Sequence, residues 1–392
     1  MIFMSTIAQF YDGYYQGSGG IETHITEICR NLNYDVLILS DSIDKSLEHP
    51  QLPSNIRIKR FEPKNYALKQ SRSIIQKKIF FPYRFISDVM RINKKHAYLR
   101  KNQFDLVHFH GHGIGEAIMR FSSLSKSSYL LHKYLDYSYV QPKLLTVHGL
   151  SSLLTDNAQI KEIETSFISQ FENLICVDSV LYDYLREEID PMNLWYIPNS
   201  IDTELFRYEP ISIEKKLKVG FVGRLEKSRG ISLLIDLINN LPSFVELYVV
   251  GAGNFRDLQK FRSQVDVSKI HFYENVNYAD MSDYIRMFHV LLNPVIAQGI
   301  SRVTLEAMSC GRVVVMLDHG NRYPVINDET GFLINNDVEE LTGILRFLYE
   351  NEDVVKQISI NSTQKVEKEY SSKYIVPKIE SVYRKVLDNS PA

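Results

Sequence analysis

Three basic residues in the second half of the chain stand where a phosphate-binding loop would need them. Arg224, Lys227 and Arg229 lie within segment 222–230, between a predicted strand and a predicted helix. Parallel α/β sheets bind ligands beyond the carboxyl ends of their strands, and three cations in such a loop suit a diphosphate. Solvated surface charges are the alternative interpretation. Gly223 and Gly230 beside the cations favour the functional one.

Segment 293–311 has the most informative pattern: a strand end, a glycine-bearing loop, and a short helix followed by Gly311. Glycine is the residue preferred just after a helix end. Backbone N–H groups at the start of this helix can stabilise an anion, and Glu306, about one turn inside, needs hydroxyl or other polar partners if it is buried. We therefore predict a ligand-binding set that consists of Gly299, Ile300, Ser301, Arg302 and Glu306.

A glycine-rich loop follows the first predicted strand. Gly19 and Gly20 precede an apolar-periodic helix, so backbone N–H groups at its start are predicted to receive a phosphate. A plain tight turn explains the same residues. Glu22 departs from the third glycine of a dinucleotide-binding loop, whereas Asp41, after the second predicted strand, stands where a ribose-binding acid would.

Histidines cluster near the ends of two predicted strands. His148 ends the strand at 144–147 and is interpreted as a site residue, with a structural histidine as the alternative. His108, His110 and His112 alternate along one strand face and invite a metal interpretation, but no acidic ligand is adjacent. The sequence therefore predicts no metal site.

Short apolar runs alternate with amphipathic stretches along nearly the whole chain, which is typical of β-α units. Strands are predicted at 2–7, 35–39, 58–61, 106–109, 144–147, 174–177, 218–222, 245–250, 270–273, 290–292 and 313–317. The predicted fold is α/β, with two Rossmann-like domains whose parallel sheets face each other across a cleft. We expect an N-terminal domain at 1–205, a second domain at 206–370, and a C-terminal helix at 371–392 that packs back on the first domain.

Composition limits the classes of function. The 392 residues carry a net charge of −2, so the whole chain has no global attraction to nucleic acid. Three well-separated cysteines indicate neither a disulfide framework nor a thiolate zinc site. No apolar run has the roughly 18 residues of a membrane span, and the first residues lack the basic region of a signal peptide. We therefore expect a cytoplasmic protein.

Five stretches resemble glycosyltransferase family 4, in the right order and along nearly the whole chain. They are Gly-Gly-Ile-Glu at 19–22, Gly-Arg-Leu with Arg-Gly at 223–230, Gly-Ala-Gly at 251–253, Gln-Gly with Leu-Glu-Ala-Met-Ser-Cys-Gly at 298–311, and Thr-Gly-Phe-Leu-Ile at 330–334. The resemblance implies a GT-B fold and a retaining, metal-independent transfer of a sugar from a UDP or GDP type of donor to an acceptor hydroxyl. It implies no cofactor.

The resemblance also implies roles for individual residues. Arg224 and Arg229 would bind the donor diphosphate, with Arg229 standing where the family usually has lysine. Glu306 would hold the ribose as the second acid of the family's paired-acid motif. Gln298 replaces the first acid, which contacts the transferred sugar, and His148 matches a histidine near that sugar.

Two alternatives remain open at this stage. The replacement of an acid by Gln298 is compatible with a non-catalytic subunit that binds a sugar nucleotide, although Arg224, Arg229 and Glu306 are retained. A nucleotide-sugar epimerase on the same fold would interconvert the donor without an acceptor. The sequence does not identify the base, the sugar or the acceptor.

Segment 64–101 is strongly basic, with eleven Lys or Arg residues against the single acid Asp88. Interleaved aromatic residues give it apolar bulk, as expected for a segment at an anionic membrane surface. The alternative is a solvated helical insertion whose aromatic residues lie in the core. The membrane interpretation predicts a lipid-linked or cell-surface glycan precursor as the acceptor, at the inner face of a membrane.

Overall fold

The chain divides into two compact units. Unit 1 consists of Met1–Pro198 and Val376–Ala392, and unit 2 of Asn199–Ile375. The computed structural model describes residues 6–11, 20–41, 53–61, 90, 93–111, 137–140, 142–150, 153, 158–189, 191–253, 255–274, 276–296 and 299–389.

Unit 1 is built on a seven-stranded sheet in the order β3-β2-β1-β4-β5-β6-β7, and all of its described strand pairs are parallel. Its strands are β1 Thr6–Phe10, β2 Asp35–Asp41, β3 Ile56–Phe61, β4 Leu106–His110, β5 Lys143–Val147, β6 Asn173–Cys176 and β7 Asn193–Tyr196. Its helices before unit 2 include α1 Gly20–Asn31, α2 Ala158–Ile168 and α3 Ser179–Glu188. The central strands β4 and β5 are buried at every position, so they form the centre of the core.

Unit 2 contains a six-stranded parallel sheet in the order β10-β9-β8-β11-β12-β13. Its strands are β8 Leu217–Arg224, β9 Val245–Ala252, β10 His271–Glu274, β11 Val290–Asn293, β12 Val313–Leu317 and β13 Gly331–Ile334. Its helices are α4 Ile231–Asn239, α5 Phe255–Arg262, α6 Met281–Arg286, α7 Arg302–Ser309, α8 Val338–Glu350 and α9 Glu352–Tyr370.

Both sheets have the strand order of the Rossmann fold, so the predicted fold class of two Rossmann-like parallel-sheet domains is confirmed. In this order the chain adds its second and third strands on one side of the first strand, and the fourth and later strands on the other side. Ligands bind beyond the carboxyl ends of the strands at this reversal point, between the first and fourth strands. The reversal lies between β1 and β4 in unit 1, and between β8 and β11 in unit 2.

The last helix, α10 Ser372–Asp388, returns the chain to unit 1. Its apolar stripe, Ile375, Val376, Ile379, Val382, Tyr383 and Val386, is buried throughout. The Tyr383 hydroxyl accepts a hydrogen bond from Gln9 Nε2 on β1 at 3.0 Å, and Glu380 Oε1 accepts one from the Asn33 backbone N–H at 2.9 Å. Apolar packing and polar contacts therefore both anchor α10.

The basic segment 64–101 is described only at residue 90 and over 93–101, where the chain is helical. Lys95 is fully buried, with its ammonium over the Phe10 ring, and Tyr98 packs against Phe61. Lys95 therefore cannot face a membrane, and the half-buried Tyr98 packs partly on the core of unit 1. Lys94 and Arg100 are exposed.

Among the described helices, none is long and apolar enough to cross a membrane. The three cysteines, Cys29, Cys176 and Cys310, are free thiols buried in the two cores.

Candidate functional site

Two loops of unit 2 meet beyond the carboxyl ends of β8 and β11. The Ile296 backbone N–H donates to the Ser228 carbonyl at 3.2 Å, which joins the loop after β11 to the loop after β8. Gly230 makes the close approach possible. Its φ is +66°, and a Cβ built there would lie 1.7 Å from the Pro294 carbonyl oxygen. Only glycine satisfies both the left-handed backbone and the contact.

Arg224 and Arg229 bring two positive charges to this loop. Arg224 is exposed and pairs with Glu226, with its Nη2 3.0 Å from Glu226 Oε1. Arg229 is half-buried, and burial, followed by repulsion from Arg224, lowers the pKa of its guanidinium. An anion bound beside the two guanidinium groups would relieve that repulsion. Lys227, the third predicted cation, is exposed, and it lies with Arg229 on a short 3₁₀ turn, Lys227–Arg229.

Arg322 fixes the shape of the loop after β11. This buried residue donates from Nε to the Leu317 carbonyl at the end of β12, and from Nη1 and Nη2 to the carbonyls of Gly299 and Val295, each at 2.9 Å. Two carbonyls of this loop and one at the end of β12 thus converge on one guanidinium. The sequence analysis missed Arg322, and no local signal marks it, because its partners are backbone atoms of a distant loop.

The start of α7 is held by Asn293, the last residue of β11. Asn293 Nδ2 donates to Ser301 Oγ at 2.8 Å and to Thr304 Oγ1 at 2.7 Å. Ser301 is the residue before the helix, and its side chain makes no capping hydrogen bond to the helix backbone. The Ser301 side chain therefore does not cap α7, and the Thr304 backbone N–H donates instead to the Ser301 carbonyl at 3.1 Å.

Glu306 and Arg302 form a buried pair one turn into α7. Their side chains are 5% and 9% exposed, and Arg302 Nε lies 3.7 Å from Glu306 Oε1. The Tyr278 hydroxyl donates to the same carboxylate oxygen at 2.8 Å, and Arg302 Nη1 donates to the Ser200 carbonyl at 2.7 Å. Glu306 therefore has the polar partners that a buried carboxylate needs, and Arg302 ties α7 to the start of unit 2.

His148 lies at the carboxyl edge of the unit 1 sheet, directly after β5. Its Nε2 is 3.3 Å from His110 Nδ1, and its ring packs edge-on against His24 of α1, with 4.8 Å between ring centroids. His110 Nε2 is 2.6 Å from Gln9 Oε1. His110 therefore donates from Nε2 to the amide oxygen and presents its Nδ1 lone pair to His148.

The polar chain continues from Gln9 into the unit 1 core. The Tyr383 hydroxyl, which accepts from Gln9, lies 2.7 Å from His108 Nδ1, and His108 Nε2 lies 2.7 Å from Thr146 Oγ1. Burial lowers the pKa of His108 to about 3, and the charge of His148 adds to the effect. Burial likewise lowers the pKa of His110 well below 6.5. Both histidines are therefore neutral at physiological pH.

The predicted residues fall into two groups. Unit 2 brings Arg224, Arg229, Gly299 and the start of α7 to one edge of its sheet, beyond β8 and β11. Unit 1 carries His148 and Gly20, which begins α1. Gly19, Gln298 and His112 lie outside the described residues.

Comparisons with known proteins match both halves of the chain. Residues 18–205 match the model of Glycosyltransferase Family 4, and residues 216–351 match the model of Glycosyl transferases group 1. An uncharacterised glycosyltransferase of Methanocaldococcus jannaschii is 22% identical over 96% of this chain and 98% of its own length. The Escherichia coli UDP-Gal:α-D-GlcNAc-diphosphoundecaprenol α-1,3-galactosyltransferase is 23% identical over 78% of this chain and 81% of its own.

Solved structures agree with this assignment at the level of the fold. The Anabaena protein HepE, in a crystal structure with UDP and glucose, superposes with a TM-score of 0.70 at 16% identity, covering 97% of this chain and 100% of that one. The two family models, the relatives and the two Rossmann-type sheets lead to the same conclusion. The chain belongs to glycosyltransferase family 4 and has the GT-B fold.

Proposed function

We propose that this protein transfers a sugar from a nucleoside diphosphate donor to an acceptor hydroxyl, with retention of the anomeric configuration and without a metal ion. The observation that carries the proposal is the pair Arg224 and Arg229 on a loop that meets the loop after β11 at the reversal point of the unit 2 sheet. The charge and the position both suit a diphosphate.

In the proposed reaction, the bond between the anomeric carbon and the phosphate oxygen breaks while the acceptor oxygen bonds to the same carbon. Negative charge grows on the departing diphosphate, where Arg224, Arg229 and the backbone N–H groups at the start of α7 stabilise it. The departing phosphate oxygen takes the proton of the acceptor hydroxyl on the same face of the sugar. No protein nucleophile is needed on this route.

The remaining predicted residues bind the donor. We assign the ribose to Glu306, a carboxylate on the helix that follows the loop after β11. Gln298 and His148 are proposed to contact the transferred sugar, and Gly19 and Gly20 to line the same site. UDP is the favoured nucleotide, because the Escherichia coli relative is a UDP-Gal galactosyltransferase and HepE was crystallised with UDP.

We propose a lipid-linked or cell-surface glycan precursor as the acceptor. The support is the diphosphoundecaprenol in the name of the Escherichia coli relative, together with the basic segment 64–101. A cytoplasmic protein of this kind would bind peripherally at the inner face of an anionic membrane. The buried Lys95 takes no part in that contact, so the charges to reverse in a test are Lys94, Arg100 and Lys101.

The decisive experiment begins with nucleotide choice. UDP, GDP and ADP are compared by the rise in melting temperature, since a ligand that binds the native state stabilises it. Nucleotide sugars that carry the most stabilising nucleotide are then incubated with the protein and diphosphoundecaprenol-linked acceptors in the presence of EDTA. The anomeric configuration of the product is determined by NMR. Transfer with retention in EDTA is the expected result.

Each other outcome removes a specific part of the proposal. An inverted product contradicts the retaining mechanism, and activity that EDTA abolishes contradicts metal independence. Nucleotide binding without transfer or hydrolysis supports the binding-subunit alternative, while interconversion of the donor without an acceptor supports an epimerase. In a co-sedimentation assay, equal recovery of the protein in the supernatant with anionic and with neutral liposomes would contradict the membrane contact.

A further inference from the structure

Three histidines of unit 1 converge from three separate elements. His24 comes from α1, His110 from the end of β4 and His148 from the residue after β5, and one ring nitrogen of each lies within 4.8 Å of the other two. His24 and His110 are buried, and His148 is half-buried. We propose that these three imidazoles form a binding site for a divalent transition-metal ion of the zinc class.

The spacing of the rings fits coordination of one ion. Tetrahedral bonds of about 2.0–2.1 Å hold imidazole nitrogens about 3.3 Å apart and place the ring centroids about 5 Å apart. His110 Nδ1 and His148 Nε2 are 3.3 Å apart. The three centroid separations are 4.8 Å for His24–His148, 5.6 Å for His110–His148 and 5.8 Å for His24–His110. The ligand nitrogens lie within 4.8 Å of one another, so binding draws the side chains together by up to about 1.5 Å.

The surroundings of His110 are those of a metal ligand. Metal-bound histidines generally donate their other ring N–H to an oxygen, which fixes the tautomer and the ring orientation. Gln9 Oε1 accepts from His110 Nε2 at 2.6 Å, and Gln9 is itself held by Tyr383 at 3.0 Å. The Nδ1 lone pair of His110 therefore points towards His148 in the metal-free protein.

The donor set selects the class of ion. Neutral imidazoles suit Zn²⁺, Cu²⁺, Ni²⁺ and Fe²⁺, whereas Mg²⁺ and Ca²⁺ prefer oxygen ligands. Three protein ligands leave a fourth position for water. When the ion binds, the His148 proton moves from Nε2 to Nδ1, so the imidazole stays neutral. The inference does not depend on the proposed transfer reaction, because ion binding is measured without a donor or an acceptor.

The test uses the full chain, freed of metal with a chelator and titrated calorimetrically with Zn²⁺ near neutral pH. We expect one saturable Zn²⁺ per chain and no binding of Mg²⁺. His24→Phe and His148→Phe keep an aromatic ring but remove a ligand, and each should weaken Zn²⁺ binding by at least about 100-fold. His271→Gln is the matched control, since His271 is an exposed histidine of unit 2 paired with Glu246, and it should bind as the wild type does.

A second measurement covers the case in which the buried His24→Phe variant does not fold. Co²⁺ bound to the wild-type chain should show the intense visible absorption of a four-coordinate site, and the half-buried His148→Phe variant should lose it. The proposal is overturned if the wild type shows no saturable Zn²⁺ binding, if the Co²⁺ spectrum is that of a six-coordinate ion, or if His148→Phe binds as tightly as the wild type.

Discussion

Substitution of Gly230 by alanine tests the contact on which the unit 2 site is built. The left-handed backbone at this position costs a residue with a Cβ about 1–2 kcal/mol. The new Cβ would also lie 1.7 Å from the Pro294 carbonyl oxygen, a distance that Cβ atoms do not adopt. Relief of that overlap costs about 1–3 kcal/mol, as overpacking does. We therefore expect the free energy of unfolding to fall by about 3 kcal/mol.

Activity should fall further than stability alone would explain. The loops after β8 and β11 must separate by about 1.5 Å to admit the methyl group, and a misplacement of about 1 Å already costs about 100-fold in rate. We expect Gly230→Ala to remain folded at low temperature, to bind UDP more weakly by calorimetry, and to transfer sugar about 100-fold more slowly.

Gly343→Ala provides the matched control. Gly343 lies in α8, has no atom within 4 Å of a built Cβ, and has no positive φ. Alanine there should raise the free energy of unfolding by about 0.5–1 kcal/mol and leave transfer unchanged. If Gly230→Ala retained wild-type transfer and nucleotide affinity, the contact between the two loops would not be what shapes the site.

Three further predictions concern single side chains. Arg224→Ala should lower turnover at least about tenfold, or about 1.4 kcal/mol, with little change in melting temperature because Arg224 is exposed; unchanged transfer would remove its assigned role. Glu306→Ala should weaken UDP binding in calorimetry and lower the free energy of unfolding by about 3 kcal/mol, because Arg302 loses its buried partner; equal nucleotide affinity would refute the ribose assignment. Burial, then the charges of Lys218 and Arg312, lowers the pKa of His289 from 6.5 to about 4, so the unfolded chain takes up this proton first and stability falls by about 3 kcal/mol as the pH drops from 6.5 to 4. His289→Asn, which keeps an acceptor for the Lys218 N–H, should flatten that pH dependence in chemical unfolding, and an unchanged slope would contradict the assignment.

Most strands could be predicted from the sequence, but the last strand of each sheet could not. The run at 313–317 is apolar throughout, and β12 Val313–Leu317 occupies those same residues, buried at every position. In contrast, β7 Asn193–Tyr196 was missed although it contains Leu194, Trp195 and Tyr196, because it is only four residues long and lies at the edge of its sheet. β13 Gly331–Ile334 was also missed, since it is a four-residue edge strand that begins with glycine.

The site shows the same division between local and distant information. Arg224 and Arg229 were predictable because their position in a loop after a strand is a local property of the sequence. The partners of Glu306 were not, since Tyr278 comes from a separate turn and meets the carboxylate only in the folded unit. The histidine cluster was missed for a related reason, because His24 comes from the first helix and reaches the others only through the fold.

The return of α10 to unit 1 has a consequence for biosynthesis. Unit 2 is continuous in sequence, so a nascent chain can complete it while the last helix is still being made. Unit 1 cannot be completed at that stage, because Gln9 and His108 hydrogen-bond to Tyr383. Until α10 emerges from the ribosome, two polar side chains of the central sheet lack a partner that their burial requires. The unit whose translation begins first is thus completed after unit 2, and its folding waits for α10.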